Sequence, residues 1–389
     1  MAGEGIAQRW KELSGEHDWK GLLEPLDIDL RRYIIHYGER AGASSSAFIR
    51  EEGSKWYRFS RYPPQVLFSS VGLEIDNPYK YTVTSFFYAS ADFKIILEIE
   101  KESSWMGFVA VATDEGKTVL GRRDILVSWR GTETNLERWD DVDFLLSSAS
   151  DIFGDSNHPN VQDGFLTIYT AKNPDCKYNK ISAREQVLRE VKKLVDQYQD
   201  EEISITVTGH SLGSALATLN AMDIVANRYN RPSNGIGKAC PVAAIVFASP
   251  RVGDEGFKRV YSTLDDLHIL RITNINDKIT DLPPKVFAYV DVGVELTIDR
   301  KKSPYLNEKA SPHNLELYLH TVAGTQGIEG DFQLAVPRSI SLVNKSMDGL
   351  KDEYKVPVNW WVKKNKTMVQ HDDGSWELDH QGYAPLPDN

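Results

Sequence analysis

Residues 209–213, with the sequence GHSLG, could carry nucleophilic chemistry at their central Ser211. They match the G-x-S-x-G pattern, follow the β-branched run 203–208 and precede the Ala-rich stretch 214–228. The flanking glycines allow a serine to occupy a strained turn between a strand and a helix. The N–H groups at the start of that helix would stabilise negative charge, so we predict Ser211 as a nucleophile and the Leu212 amide as one oxyanion donor.

A serine nucleophile needs a general base, and the base needs a carboxylate that orients it. Where this motif occurs in α/β hydrolases, the partners follow in the order Ser, Asp, His. The carboxylates that fit a strand end are Asp277 and Asp281, after the predicted strand 268–273, and position favours Asp277. His313 and His320 lie two helical turns apart, so periodicity does not choose between them. Proximity to a helix start favours His313 as the base, and a core position inside the helix suits His320.

The second oxyanion donor must come from another strand end. Residues 129–132 (WRGT) directly follow the predicted strand 124–128. Gly131 lets the backbone turn sharply there, and Thr132 can offer both an N–H and a hydroxyl. We therefore predict Thr132 as the second donor, beside Leu212.

The elements that position these residues alternate between strand and helix. A capping box of Ser182 and Glu185 predicts a helix up to about residue 198, and further buried strands are predicted over 243–249 and 268–273. Strands that alternate with helices indicate a mostly parallel sheet covered on both faces.

Two hairpins are expected in addition. The first joins strands 105–112 and 124–129 through a turn at Gly116, and the second spans 286–298. The C-terminal tail, with a turn at residues 373–374, is predicted to form short strands.

Composition excludes several classes of protein. The 389 residues carry 45 Lys and Arg against 56 Asp and Glu, a net charge of −11, which argues against nucleic-acid binding and against electrostatic attachment to anionic membranes. Residues 1–30 hold no apolar signal region, and no apolar run is long enough for a membrane span, so we expect a cytoplasmic protein. Neither cysteine has metal-ligand spacing, and we expect no metal and no cofactor.

Together these motifs resemble the class 3 lipase family, and within it the plant phospholipase A1 branch that lacks a plastid transit peptide. The resemblance covers nearly the whole chain. It rests on residues 105–107 (WMG), 121–125 (GRRDI), 129–132 (WRGT), 209–213 (GHSLG), 249–254 (SPRVGD), 318–327 (YLHTVAGTQG) and 342–346 (LVNKS).

The resemblance implies an α/β-hydrolase fold with Ser211, Asp277 and His313 as the triad and with Thr132 and Leu212 as the oxyanion positions. It implies hydrolysis of the sn-1 ester of glycerophospholipids, with transient contact to a lipid interface. A galactolipid or neutral acylglycerol hydrolase would use the same machinery, and a lipase-like regulatory protein would use the pocket for binding alone.

The organisation of the chain predicts a domain plan, and the resemblance implies a lid. We expect one domain over 1–389, with a helical N-terminal extension at 1–90, a catalytic core at 91–330 and a C-terminal extension at 331–389 packed on the core. An amphipathic helical lid is expected over 139–153. The chain departs from the family pattern at 42–60, which is shortened, and at Gln162, where the family often has histidine.

Overall fold

The computed structural model describes residues 4–90, 103–131, 143–235 and 237–361, and the backbone of 368–370 and 376–378. Its main feature is a sheet of seven strands in the order β1-β2-β3-β6-β7-β8-β9. Two small pairs, β4 with β5 and β10 with β11, complete the strands. Their bounds are β1 (Tyr81–Ala89), β2 (Ser104–Ala112), β3 (Arg123–Trp129), β4 (Leu146–Ser148), β5 (Asn160–Gln162), β6 (Ile203–His210), β7 (Val242–Phe247), β8 (Leu267–Asn274), β9 (Val294–Ile298), β10 (Met368–Gln370) and β11 (Trp376–Leu378).

The sheet is mostly parallel, as predicted. Strands β3, β6, β7, β8 and β9 pair in parallel, and β1 and β2 add two antiparallel strands at one edge. Every residue of β3 and β7 is buried, as expected for parallel strands that are covered on both sides. This topology confirms the α/β-hydrolase fold.

Helices cover both faces of the sheet. Each face is packed by a cluster of buried hydrophobic side chains. On one face, alternate residues of β3 pack with residues of α7 and α8, and on the other face Leu126 of β3 packs with residues of α2 and α10. In the described part of the chain the helices are α1 (Glu4–Leu13), α2 (Ile28–Ala47), α3 (Leu67–Ser70), α4 (Asp114–Leu120), α5 (Ser150–Phe153), α6 (Asp163–Thr170), α7 (Ala183–Gln197), α8 (Leu212–Ala226), α9 (Glu255–Tyr261) and α10 (Leu315–Gly324).

The turn predicted at Gly116 is wrong, because Gly116 lies inside helix α4. Thr113 caps this helix by accepting a hydrogen bond from the Gly116 amide, and Gly121 ends it in the left-handed conformation. Strands β2 and β3 still pair antiparallel, with Gly107 opposite Trp129, so they are neighbours joined by a helix and not by a tight turn.

The hairpin predicted over 286–298 is also wrong. A single 3₁₀ turn occupies Lys285–Phe287, and β9 pairs in parallel with β8, from Val294 beside Leu270 to Ile298 beside Asn274. The apolar residues of β9 therefore complete the edge of the main sheet, where they join the same core cluster as Leu270 and Ile272.

The predicted lid segment is not one helix within its described residues, 143–153. Strand β4 pairs antiparallel with β5, Ser147 lying opposite Val161, and α5 follows as a helix of four residues. Pairing with β5 explains the extended backbone, because a strand partner satisfies N–H and C=O groups that a helix would satisfy internally. Residues 139–142 of the predicted lid lie outside the described residues.

The short C-terminal strands are present as the antiparallel pair β10 and β11. The turn predicted at 373–374 lies outside the described residues. Within the described ranges, no helix combines the length and the apolar composition needed to cross a membrane.

Candidate active site

Ser211 lies at the junction of β6, which ends at His210, and α8, which begins at Leu212. Its backbone has φ 58° and ψ −126°, in the positive-φ region that residues with a side chain rarely adopt. Its amide donates a hydrogen bond of 3.0 Å to the Phe247 carbonyl at the end of β7. Such strain persists only where neighbouring structure enforces it, and it is common at functional sites.

Glycines on either side make this turn possible. A Cβ on Gly209 would lie 2.3 Å from the Gly213 carbonyl oxygen, and a Cβ on Gly213 would lie 2.3 Å from the Trp129 carbonyl oxygen. Both obstacles are backbone atoms, which cannot move aside as a flexible side chain could. The G-x-S-x-G spacing therefore follows from how closely β6, α8 and the end of β3 approach one another.

His313 is brought to Ser211 by the loop before α10. Its Nε2 lies 2.8 Å from the Ser211 Oγ, and its Nδ1 lies 2.8 Å from the Asp277 Oδ2. When Nδ1 carries the proton and donates a hydrogen bond to Asp277, Nε2 is unprotonated and can accept the proton of the Ser211 hydroxyl. Asn314 caps α10 by accepting hydrogen bonds from the amides of Glu316 and Leu317, which fixes where the loop ends.

Asp277 is buried, and each of its oxygens has a partner. Oδ1 accepts the Ile279 amide at 3.1 Å, and Oδ2 accepts the Tyr318 hydroxyl at 2.6 Å in addition to His313 Nδ1. Burial is the main cause that raises the pKa of Tyr318 well above its usual value, so the phenol stays protonated and donates.

The two alternative residues lie elsewhere. The Asp281 side chain is 80% exposed and lies 3.6 Å from the Arg251 guanidinium. His320 is buried, with Nε2 2.7 Å from the Ser303 Oγ, and its ring stacks on Phe332. Burial lowers the pKa of His320 to about 4, as expected for a neutral core histidine.

Sequence reasoning missed two residues that hold the predicted triad in place, His210 and Tyr318. The Nε2–H of His210 donates to the His313 carbonyl at 2.7 Å, and the two rings lie 4.8 Å apart. Burial is the main cause that lowers the pKa of His210 to about 3, so it stays neutral. The position of His210 inside the motif gave a signal, but nothing local in the sequence links Tyr318 to Asp277.

Of the predicted oxyanion donors, the structure describes Leu212. It is the first residue of α8, and the first amides of a helix have no acceptor within the helix. Gly131 lies against the same turn, since a Cβ there would be 2.4 Å from the His210 carbonyl oxygen. Thr132 lies outside the described residues.

The arrangement can support covalent acyl transfer, because nucleophile, base and orienting acid form one hydrogen-bonded chain beside a helix N-terminus. Among the residues that the structure describes, no group of three or more His, Cys, Asp or Glu side chains could hold a metal ion.

Comparisons with known proteins identify the family of this chain. The family model "Lipase (class 3)" matches residues 126–287. Phospholipase A1-IIgamma of Arabidopsis thaliana is 51% identical, over 97% of this chain and 94% of that protein. Phospholipase A1-II 4 of Oryza sativa subsp. japonica is 48% identical, over 98% of this chain and 97% of that protein. The chain belongs to the plant phospholipase A1 group of the class 3 lipase family.

Class 3 lipases are ester hydrolases, so this chain is an enzyme of that reaction class. The matched range of the class 3 lipase model includes Ser211 and Asp277, whereas His313 lies in a part that the full-length relatives cover. Among solved structures, the nonglycosylated LIP2 lipase of Yarrowia lipolytica aligns with a TM-score of 0.47 and 17% identity, over 80% of this chain and 91% of that one.

Proposed function

We propose that this class 3 lipase hydrolyses the sn-1 ester of glycerophospholipids through an acyl-enzyme intermediate. The observation that carries the proposal is the continuous hydrogen-bonded chain from Ser211 through His313 to Asp277. The head group and the position of cleavage are proposed from the relatives named phospholipase A1, which match along nearly the full chain.

In the proposed first step, Ser211 Oγ attacks the ester carbonyl while His313 Nε2 accepts its proton. The C–O bond to the leaving alcohol then breaks, and His313 returns the proton to that alcohol, which is the lysophospholipid. Asp277 keeps the proton of His313 on Nδ1 and stabilises the imidazolium that forms. Water, activated by the same histidine, releases the fatty acid and restores Ser211.

The developing oxyanion is proposed to accept hydrogen bonds from the Leu212 and Thr132 amides. In this geometry the charge would also lie at the N-terminus of α8, where the helix dipole is positive. Reaction in the cytoplasm, with only transient contact to a lipid interface, is part of the same proposal and agrees with the net charge of −11.

Ser211→Ala tests the chemistry. We expect turnover of phosphatidylcholine to fall by at least about 10³-fold while the melting temperature stays close to that of the wild type, since only one oxygen is removed. Turnover by His313→Ala should fall as far, because the members of a triad act as a unit. Ser69→Ala, at an exposed helix position, is the matched control and should keep full turnover.

The site of cleavage is read from a phosphatidylcholine with different acyl chains at sn-1 and sn-2. Release of the sn-1 chain supports the proposal, and release of the sn-2 chain overturns it. Faster hydrolysis of a galactolipid or a triacylglycerol would reassign the substrate within the same chemistry. Binding of all three lipids without turnover by the wild type would indicate a regulatory protein instead.

A further inference from the structure

Two neighbouring loops of the molecule expose a set of large apolar side chains, which we name the apolar rim: Phe144, Leu145, Val286 and Phe287. Val286 is 84% exposed, Leu145 60% and Phe287 52%, whereas Phe144 is half-buried against the core. Single exposed apolar residues are common on protein surfaces, but a group of large ones marks a site of contact.

The apolar rim is one continuous surface, because its two loops are bound to each other. The Phe144 and Phe287 rings lie 5.6 Å apart. Tyr289 is buried, and its hydroxyl lies 3.1 Å from the carbonyl oxygens of both Phe144 and Leu145. The hydroxyl can donate a hydrogen bond to either oxygen. The turn Lys285–Phe287 is thereby held beside residues 144–145.

Hydrogen bonds from the start of α6 fix the same loop. Gln162 donates from Nε2 to the Asp143 carbonyl at 2.8 Å and accepts the Phe165 amide at 2.8 Å. The Asp163 amide donates to the Leu145 carbonyl at 2.9 Å. Gln162, where the family often has histidine, therefore anchors the backbone that presents Leu145. Together with the contacts of Tyr289, these hydrogen bonds hold the two loops of the apolar rim in place.

The chain topology links the apolar rim to the strand ends that carry the catalytic serine. Ser211 and Asp277 follow the carboxyl ends of β6 and β8, and the carboxyl ends of parallel strands meet at one edge of a sheet. The chain runs from Asp277 to the turn Lys285–Phe287, and on the way the Leu282 carbonyl accepts the Arg251 amide at 2.7 Å. Since Arg251 follows β7 and Leu282 follows β8, the loops after these two strands meet beside the apolar rim.

Two cations near the apolar rim are paired with carboxylates, and a further carboxyl group, that of Asp143, lies next to Phe144 in the chain. Lys285 lies 3.2 Å from Asp291, and Arg251 lies 3.6 Å from Asp281. The whole chain carries a net charge of −11, which opposes an anionic surface. An apolar surface whose neighbouring cations are already paired, on a chain with a net negative charge, fits a zwitterionic lipid surface, into which the side chains insert without electrostatic attraction.

We propose that the apolar rim docks this enzyme on a zwitterionic phospholipid bilayer, with Val286, Phe287 and Leu145 inserted among the acyl chains. The proposal rests on the proposed function for the identity of the lipid. Once docked, the enzyme holds the edge of the sheet that carries Ser211 against the membrane.

Flotation with phosphatidylcholine vesicles tests the docking. The protein carries Ser211→Ala so that the lipid is not consumed, and we compare it with and without the double substitution Val286→Ser and Phe287→Ser. We expect the double substitution to weaken vesicle binding at least tenfold, since it removes most of the inserted apolar surface. Raising salt from about 0.1 M to about 1 M should leave binding of the parent protein nearly unchanged.

Ile75→Ser is the matched control. Ile75 is 88% exposed and precedes β1, whose first residue, Tyr81, pairs with the last residue of β2, Ala112. That end of β2 lies beside the start of β3, at the sheet edge opposite the catalytic serine. We expect Ile75→Ser to leave vesicle binding unchanged.

The outcomes separate docking from chemistry. Equal binding of the parent and the double variant, or an equal loss with Ile75→Ser, overturns the docking proposal. A parent protein that sediments as a dimer, and becomes a monomer in the double variant, assigns the apolar rim to a second copy of the chain and also overturns it. With Ser211 restored, vesicle binding without release of lysophospholipid would overturn the proposed function but leave docking intact.

Discussion

At the residue scale, the Tyr318 hydroxyl shares Asp277 Oδ2 with His313. The phenol donates to this oxygen at 2.6 Å and accepts the Asn274 amide at 3.1 Å, so it joins the end of β8 to the carboxylate. Tyr318 therefore acts on the base through Asp277 and is a positioning residue. A hydrogen bond to a charged group contributes about 1.5–3 kcal/mol.

Tyr318→Phe should lower kcat about tenfold with little change in KM, because the carboxylate loses one of the contacts that orient it. Steady-state kinetics and thermal unfolding of the variant measure both effects. A lower melting temperature with kcat unchanged would assign Tyr318 a purely structural role.

The predictable part of the site was the part with local signals. The glycine motif marked Ser211, position favoured Asp277 over Asp281, and the resemblance selected His313 where periodicity could not; the structure brings these three side chains together. Tyr318 could not be predicted, because its hydrogen bond to Asp277 joins residues 41 positions apart. The second oxyanion donor, Thr132, stays a prediction.

At the scale of elements, the close approach of β3, β6 and α8 makes Gly213 a sensitive position. Gly213→Ala should reduce turnover at least about 10²-fold, because its Cβ would lie 2.3 Å from the Trp129 carbonyl oxygen and 2.9 Å from the Gly131 amide nitrogen. Gly53→Ala is the control, since nothing lies within 4 Å of a Cβ built there. Turnover and circular dichroism of both variants check this, and full turnover in Gly213→Ala would contradict it.

Elements were predictable where the local pattern and the tertiary packing agreed. The capping box of Ser182 and Glu185 does begin α7, and the buried β-branched run does form β6. The errors at 139–153 and 286–298 share one physical cause: β4 and β9 pair with strands that lie outside the predicted segments, β5 and β8. An apolar segment alone does not tell which partner will pair with it.

At the scale of the whole molecule, a buried carboxylate joins the N-terminal residues to the sheet. Asp124 in β3 accepts hydrogen bonds from the hydroxyls of Tyr37 in α2 and Tyr81 in β1, at 2.9 and 2.7 Å. It also accepts Ser204 and Thr206 of β6, at 2.6 and 2.8 Å. Residues from the predicted N-terminal extension thus donate hydrogen bonds to a carboxyl group inside the core. The extension and the core should therefore unfold together.

Tyr81→Phe should lower the free energy of unfolding by about 1–3 kcal/mol, because it removes one donor from a buried carboxylate. Tyr79→Phe is the matched control, since the Tyr79 ring also packs against His36 but no bond from its hydroxyl to Asp124 exists. Urea unfolding of both variants gives the two free energies. An effect of equal size in both would indicate that loss of the hydroxyl of Tyr81 does not act through Asp124.

Buried histidines should make the whole molecule sensitive to acid. Burial is the main cause that lowers the pKa of His210 to about 3 and of His320 to about 4, and it also places the pKa of His36 well below the usual 6.5. Between pH 6.5 and the lowered values, the unfolded chain binds protons at these positions and the folded chain does not. The contribution of each histidine to stability is therefore complete above pH 6.5 and is lost as the pH falls toward its folded-state pKa.

Between about pH 6 and about pH 5, each buried histidine should steepen the loss of unfolding free energy by up to about 1.4 kcal/mol per pH unit. His320→Gln removes one of these groups, so its slope in this range should be smaller by about that amount, whatever its stability at neutral pH. Ser69→Ala, at an exposed position without a titratable side chain, is the control and should leave the slope unchanged. Urea unfolding across this range measures both slopes, and equal slopes in His320→Gln and the wild type would mean that His320 becomes protonated within the folded protein.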